Sequence, residues 1–167
     1  MTTVQQQPSI YQFKVRNIEG EEVFLSDYQG KVLLIVNTAS QCGFAPQYDE
    51  MEKLYQEYKN KGLEVLAFPS NDFMGQEPLD EEDILEFCKE NYRVSFPIME
   101  KTKVAGRNAS ELFKFLANRS RNGRISCRPK WNFHKYLINR DGQVVNYFYS
   151  FTSPASDKLK QAIEELL

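Results

Sequence analysis

The stretch NTASQCGFAPQY, residues 37–48, places one thiol, Cys42, between an apolar run and a helical pattern. A free thiol ionises at a pKa of about 8.5, so only about 3% is thiolate at pH 7. The first turn of a helix stabilises the anion through its unpaired N–H groups and aligned dipole. Cys42 lies just past the carboxyl end of the apolar run and four residues before Pro46, a residue suited to the first turn of a helix. In an open α/β sheet that edge is where ligands bind. Gly43 lets backbone approach a substrate closely. Ala45 stands where a C-x-x-C pair would carry its second thiol, which excludes disulfide exchange of that local type. A thiolate that attacks another electrophile and a buried structural cysteine both remain open.

The other groups able to do chemistry are few. Cys88 falls on the apolar stripe of DEEDILEFCKENY, and Cys127 lies in the basic loop RNGRISCRPK. Arg119, Arg121, Arg124, Arg128 and Lys130 form either a patch for an anionic ligand or a solvated basic loop. These charges would lower the pKa of Cys127 and make it a secondary redox thiol. His134 is the single histidine. It pairs with a cysteine or packs beside its own strand. One histidine and no C-x-x-C argue against structural zinc. Phosphate-loop, dinucleotide, serine-hydrolase and zinc-protease signatures are absent, so no metal or cofactor is expected.

The elements that position these groups follow from periodicity. YQFKVRN and EEVFL alternate around IEGE and read as an N-terminal antiparallel pair. VLLIVNTA is apolar on both faces, as a central strand is. Met51, Leu54, Tyr55 and Tyr58 recur at helical spacing, and that helix ends at Gly62. LEVLAF is a strand, residues 80–92 a helix with Ile84, Phe87 and Cys88 on one face, and FPIM a short strand. ASELFKFLANRS is a helix with Leu112, Phe113 and Leu116 inward. Two strands flank Asp141-Gly142, a hairpin signal. The final helix takes Ser153 as N-cap and Pro154 as its first residue, with Leu159, Ile163 and Leu166 inward. The alternation predicts an α/β fold, with a central mixed sheet flanked by helices and an N-terminal β-hairpin.

At 167 residues, with twelve phenylalanines and nine tyrosines, the chain can bury a single core, read here as one domain over 1–167 with residues 1–9 frayed. A net charge of −2 gives no reason to expect nucleic acid. No apolar stretch approaches 18 residues and the start lacks a secretory pattern, so no membrane anchoring is expected. Three irregularly spaced cysteines point to a reducing, cytoplasmic setting rather than a stapled scaffold.

Three segments together, NTASQCG, FPSNDFMGQEP (68–78) and KWNFHKYLINRDG (130–142), with the tail FTSPASDKLKQAIEELL, resemble the glutathione peroxidase family across nearly the whole chain. The resemblance implies a thioredoxin-like fold and reduction of hydrogen peroxide or organic and lipid hydroperoxides, an antioxidant activity of the oxidative stress response. It implies a peroxidatic cysteine at Cys42, with Trp131 and Asn132 matching the family's tryptophan and asparagine around it. Asp72 stands at the family's usual glutamine position. An ionised carboxylate cannot donate a hydrogen bond and would raise a nearby thiol's pKa. It must therefore be protonated, point away, or pair with a cation such as Lys130. Gln76 is a further candidate to cover for the missing glutamine, and Glu77-Pro78 reads as a structural turn. Cys88 matches the resolving cysteine of thioredoxin-using members, which implies a redox-active disulfide with Cys42 and thioredoxin as reductant. The alternatives are a glutathione-reduced one-cysteine peroxidase and a peroxide-sensing relay that passes oxidation to a partner. The chain is short for the family, which suggests a monomer or small homodimer.

Overall fold

The computed structural model describes residues 7–167. The fraying expected over residues 1–9 falls mostly on 1–6, outside the described residues; Ser9 is placed, its hydroxyl accepting from Tyr11 N–H at 3.3 Å. The expected hairpin forms: β1 (Lys14–Arg16) pairs antiparallel with β2 (Glu22–Phe24).

The main sheet is a mixed thioredoxin-like sheet. β3 (Val32–Thr38) and β4 (Leu63–Pro69) run parallel, while β5 (Lys135–Ile138) pairs antiparallel with both β3 and β6 (Val144–Phe148), giving the order β4-β3-β5-β6. All seven residues of β3 and of β4 are buried, as continuous apolar runs demand when both sheet faces are covered.

The pleat of β3 sorts its side chains to opposite faces. Val32, Leu34 and Val36 join a cluster with Met51 and Leu54 of α1 (Gln47–Tyr58), Ile84 and Cys88 of α2 (Glu81–Tyr92), and Leu159 and Ile163 of α5 (Asp157–Leu166). Leu33 and Ile35 join a second cluster with Leu66, Phe68 and the inward residues Leu112, Phe113 and Leu116 of α3 (Glu111–Ala117). Cys42 belongs to the first cluster. Among the described residues no helix is long and apolar enough to cross a membrane.

Three expectations are corrected. FPIM forms only isolated bridges, Ile98 with Ala67 and Met99 with Asn17, because Pro97 has no N–H to extend the ladder. The helix expected over 109–120 breaks at Asn118, whose extended backbone separates α3 from the single turn α4 (Arg119–Asn122). Ser156, not Ser153, caps α5 by accepting from Leu159 N–H, since the Ser153 hydroxyl instead donates to Glu50 and accepts from Ala155 N–H.

Gly142 closes the β5–β6 hairpin at φ +79°, and a Cβ built there would lie 2.6 Å from the Tyr11 ring. Tyr11 in turn donates to Arg140 O at 2.9 Å, and Ile10 N–H to Gly142 O at 2.9 Å. Gly142→Ala is therefore expected to destabilise the fold by about 1–3 kcal/mol, from left-handed strain plus loss of this docking. Gly43→Ala, where a Cβ meets nothing within 4 Å, serves as the near-neutral control. Urea unfolding midpoints of the two variants check the contrast.

Candidate active site

Cys42 sits in the turns that join β3 to α1, at the carboxyl edge of the sheet. It is 6% exposed, and its Sγ accepts a hydrogen bond from Phe44 N–H at 3.3 Å. Its carbonyl accepts from Ala45 N–H at 2.9 Å, and successive tight turns lead into α1. Gly43 beside it is exposed, faces open space and has ordinary backbone angles. The fold does not demand a glycine there, so its effect is to leave room next to the sulfur.

Hydrogen bonds bring the two remote segments to this turn. Asn37, at the end of β3, accepts from Phe133 N–H at 2.6 Å, and its side-chain amide donates to Trp131 O at 3.0 Å. These bonds fix Trp131 and Asn132 beside the strand end. The Trp131 ring packs against the cluster that holds Cys42, with the Phe73 ring 5.8 Å from it. Asn132 is fully buried; its Nδ2 donates to Gln76 Oε1 at 3.0 Å, while its Oδ1 has no protein partner. Gln76 O accepts from Gln41 N–H at 3.0 Å, so this glutamine touches both the residue before Cys42 and Asn132. Met74 and Gly75 both adopt positive φ, the tight turn that swings Gln76 round to this position.

Asp72 is placed differently. Its Oδ2 accepts from Val104 N–H at 2.7 Å and Ala105 N–H at 3.1 Å. Val104 packs in the second cluster, on the sheet face opposite the one that holds Cys42. The carboxylate is thus committed to clamping the loop before α3. The suggested partner Lys130 lies over the Tyr149 ring instead, 5.4 Å from its centroid.

Glu77 is more than a turn residue. It is fully buried, accepts from Ser40 N–H at 3.1 Å through Oε1, and takes the Ser40 hydroxyl on Oε2. Burial raises its carboxyl above the usual range, with the two Ser40 hydrogen bonds opposing. Lys135 is the second buried charge. Its Nζ donates to Phe133 O at 2.7 Å and Ser150 O at 3.3 Å, and burial lowers it to about 7. It thereby props Phe133, a non-glycine residue at φ 64°. Sequence reading passed over Lys135, because its place in the pattern of β5 gives no sign that an ammonium ion is buried there.

All three cysteines are free. Cys88 is fully buried on α2 within the same cluster as Cys42, and burial pushes its thiol up to about 12, with the Tyr48 hydroxyl opposing. Among the described residues no group of three or more His, Cys, Asp or Glu side chains could hold a metal ion.

A lone thiol at a strand–helix junction, in a turn that is hydrogen-bonded through Gln41 to the loops of Gln76 and Asn132, fits a thiol-based protein of the thioredoxin fold. The comparisons with known proteins agree. The profile described as Glutathione peroxidase matches residues 10–117. The chain is 54% identical over 159 residues to "Glutathione peroxidase homolog BsaA" of Halalkalibacterium halodurans, covering 95% of this chain and 99% of that one. It is 45% identical over 160 residues to "Glutathione peroxidase-like peroxiredoxin 2" of Saccharomyces cerevisiae, covering 95% and 97%. Among solved structures it is similar to "Trgpx in apo form", with TM-score 0.75, 39% identity and 96% of each chain covered. A thioredoxin-family protein of Chlorobium tepidum, only 13% identical but covering 99% of each chain at TM-score 0.70, shares the fold. The chain belongs to the glutathione peroxidase family.

The raised carboxyl of Glu77 carries a pH signature. A folded pKa above the unfolded one means that the folded state binds more protons between the two values, so stability falls as pH rises through that window. The wild type is expected to gain stability relative to Glu77→Gln on acidification from pH 7 to about pH 4.5. Paired urea titrations at the two pH values check this; a relative loss on acidification contradicts it.

Proposed function

We propose that this peroxidase reduces hydrogen peroxide and organic hydroperoxides through Cys42, with Cys88 resolving the oxidised sulfur and thioredoxin restoring the dithiol. The observation that carries the site assignment is the pair of hydrogen bonds through which Gln76 joins Asn132 to the Cys42 turn. In this reading the Cys42 thiolate attacks one peroxide oxygen and the O–O bond breaks. The sulfur becomes a sulfenic acid, and the departing alkoxide or hydroxide takes a proton. Charge develops on the leaving oxygen, where amide and indole N–H groups stabilise it. Trp131 supplies an indole donor and Asn132 with Gln76 the amide donors. Gln76 takes the place left open at 72, where Asp72 serves the 104–105 loop.

Resolution joins Cys88 Sγ to Cys42 Sγ and releases water. A disulfide needs Cα atoms within about 7 Å. It also needs a Cys88 sulfur that can ionise, and the buried thiol resists that. Carrying it into solvent lowers the cost of ionisation by about 4 kcal/mol. Of the twelve residues of α2 only Ile84 and Cys88 are buried, a small foothold that favours local unwinding. The acidic first turn adds repulsion: Asp83 is raised first of all by the charge of Asp80. The three free thiols support a reducing compartment such as the cytoplasm. We take 1–167 as one functional unit, acting as a monomer or small homodimer.

The test is peroxide turnover with thioredoxin and with glutathione on serine variants of each cysteine. Cys42→Ser is expected to lose all turnover. Cys88→Ser is expected to keep stoichiometric oxidation of Cys42 but lose the thioredoxin-driven cycle. Cys127→Ser is expected to change little. Undiminished thioredoxin-driven turnover in Cys88→Ser refutes the resolving role.

If unwinding of α2 limits disulfide formation, loosening its foothold accelerates that step. Ile84→Ala is expected to lower stability by about 2–4 kcal/mol while raising the rate of disulfide formation after one equivalent of peroxide. Stopped-flow fluorescence with quenched mass analysis checks it; a slower step places the barrier elsewhere.

A further inference from the structure

A second thiol lies outside the machinery described above. Cys127 lines a cleft of about 560 Å³ whose walls include Val104, Ala105, Lys114, Arg128, Lys130 and Tyr149. No acidic side chain lines this cleft; Lys114 is paired with Glu111 at 3.5 Å, so its positive field comes mainly from Arg128 and Lys130. The thiol is 7% exposed. Behind it stands His134, 1% exposed, with Nε2 at 3.8 Å from Cys127 Sγ and with a buried Nδ1 that has no partner. The ring is held in place by Tyr136 in an edge contact at 4.8 Å and by Tyr147 stacked at 6.2 Å. The Tyr136 hydroxyl donates to Cys127 O, which fixes the cysteine backbone. This is a thiol with a buried imidazole at its back and a cationic cleft in front.

We propose that Cys127 is a second, peroxide-independent redox site that takes a small carboxylate-bearing disulfide and becomes reversibly S-thiolated. Cys127 Sγ attacks one sulfur of the disulfide, a new S–S bond forms, and the old S–S bond breaks. The departing half is reduced to its thiol and Cys127 is oxidised to the mixed disulfide. The proton is lost from Sγ as the thiolate forms and ends on the departing thiolate. Arg128 and Lys130 stabilise both the carboxylates of the incoming molecule and the negative charge on the leaving sulfur. Burial raises the Cys127 thiol, against the Tyr149 hydroxyl and Lys130, and burial first, then Lys135 and Lys130, lower His134 to about 4. Both groups are therefore neutral at rest, so exchange runs through the small thiolate fraction, and the positive cleft draws an anionic disulfide to that sulfur but not an uncharged peroxide. An excess of small thiol reverses the adduct by the same exchange.

The cleft also borders the peroxidase machinery. Asp72 holds its Val104–Ala105 wall, and Lys130 is bonded to Trp131. An occupant of the cleft would thus press on both segments.

The experiment uses the Cys42→Ser/Cys88→Ser protein, in which Cys127 is the sole cysteine, and follows adduct formation by intact-mass spectrometry. The probes are oxidised glutathione, which is anionic, and cystamine, which is cationic. At low salt oxidised glutathione is expected to react about tenfold faster or more, and the two rates to converge in high salt. Arg128→Glu/Lys130→Glu in the same background is expected to reverse the preference. Peptide mapping of the wild-type protein gives a second reading that does not depend on the serine changes folding well. No adduct at Cys127 in either protein, a preference for cystamine, or indifference to the charge reversal overturns the proposal.

Discussion

The site depends on the way one residue at the end of β3 holds a segment from the other end of the chain. Asn37 accepts from Phe133 N–H and donates to Trp131 O, two hydrogen bonds to a stretch almost a hundred residues away. Each is worth about 1 kcal/mol net, but leaving either group buried and unpaired would cost more. This asymmetry fixes the register: a one-residue slip would turn Asn132 away from Gln76 and bring the next side chain to face it. The left-handed backbone of Phe133 costs about 1–3 kcal/mol by itself, and the bond from Lys135 Nζ to its carbonyl helps to maintain it.

Two buried ionisable side chains fasten the loops at this edge of the sheet. Glu77 and Lys135 each fasten one loop to the sheet, the acid through Ser40 and the base through Phe133 and Ser150. Both have pKa values shifted toward neutrality by burial. A buried pair of opposite charges in direct contact would gain Coulomb energy but leave fewer lone pairs and protons for backbone partners. Here the charges are spent on backbone and hydroxyl groups instead, so each holds a loop in place. The carboxylate at 72 follows the same rule at the surface, accepting from two amides of the loop that leads to α3.

The fold was legible because its signals are local. Alternation around IEGE, the double-faced apolar run of β3, the Asp141-Gly142 turn and the helical spacing of Met51, Leu54 and Tyr58 each report on their own neighbours. The cap of α5 was misplaced for a related reason: Ser153 and Ser156 both suit the position, and only the contact of Ser153 with Glu50 decides between them. At the site, the placing of Cys42 followed from the strand–helix junction, and the significance of Trp131 and Asn132 only from family resemblance. Gln76 stood only as a candidate to cover for the missing glutamine, and the work of Glu77 and Lys135 could not be read, because it consists of contacts between segments: Gln76 with Asn132 across 56 residues, Glu77 with Ser40 across 37 and Lys135 with Ser150 across 15. Periodicity carries no information about which polar side chain will be the one that is buried.

In the proposed cycle the same architecture has to serve two opposed demands, attack and resolution. Peroxide attack is best served by a rigid turn, and the bonds to Gln76, Glu77 and Phe44 N–H hold Cys42 and its neighbours firmly. Resolution needs motion, because a thiol raised to about 12 inside the core is almost wholly protonated at neutral pH. The structure divides these demands between elements. The rigid part is tied by hydrogen bonds to the carboxyl edge of the sheet, whose strands are buried on both faces. The part proposed to move, α2, buries only Ile84 and Cys88 fully, adds the contacts of Phe87 and Tyr92 with Tyr48, and ends at Arg93 in a left-handed conformation that strains a side-chain-bearing residue. Local stability can therefore be low in α2 without loosening the turn that carries Cys42, since the bonds that hold the turn are made to other segments.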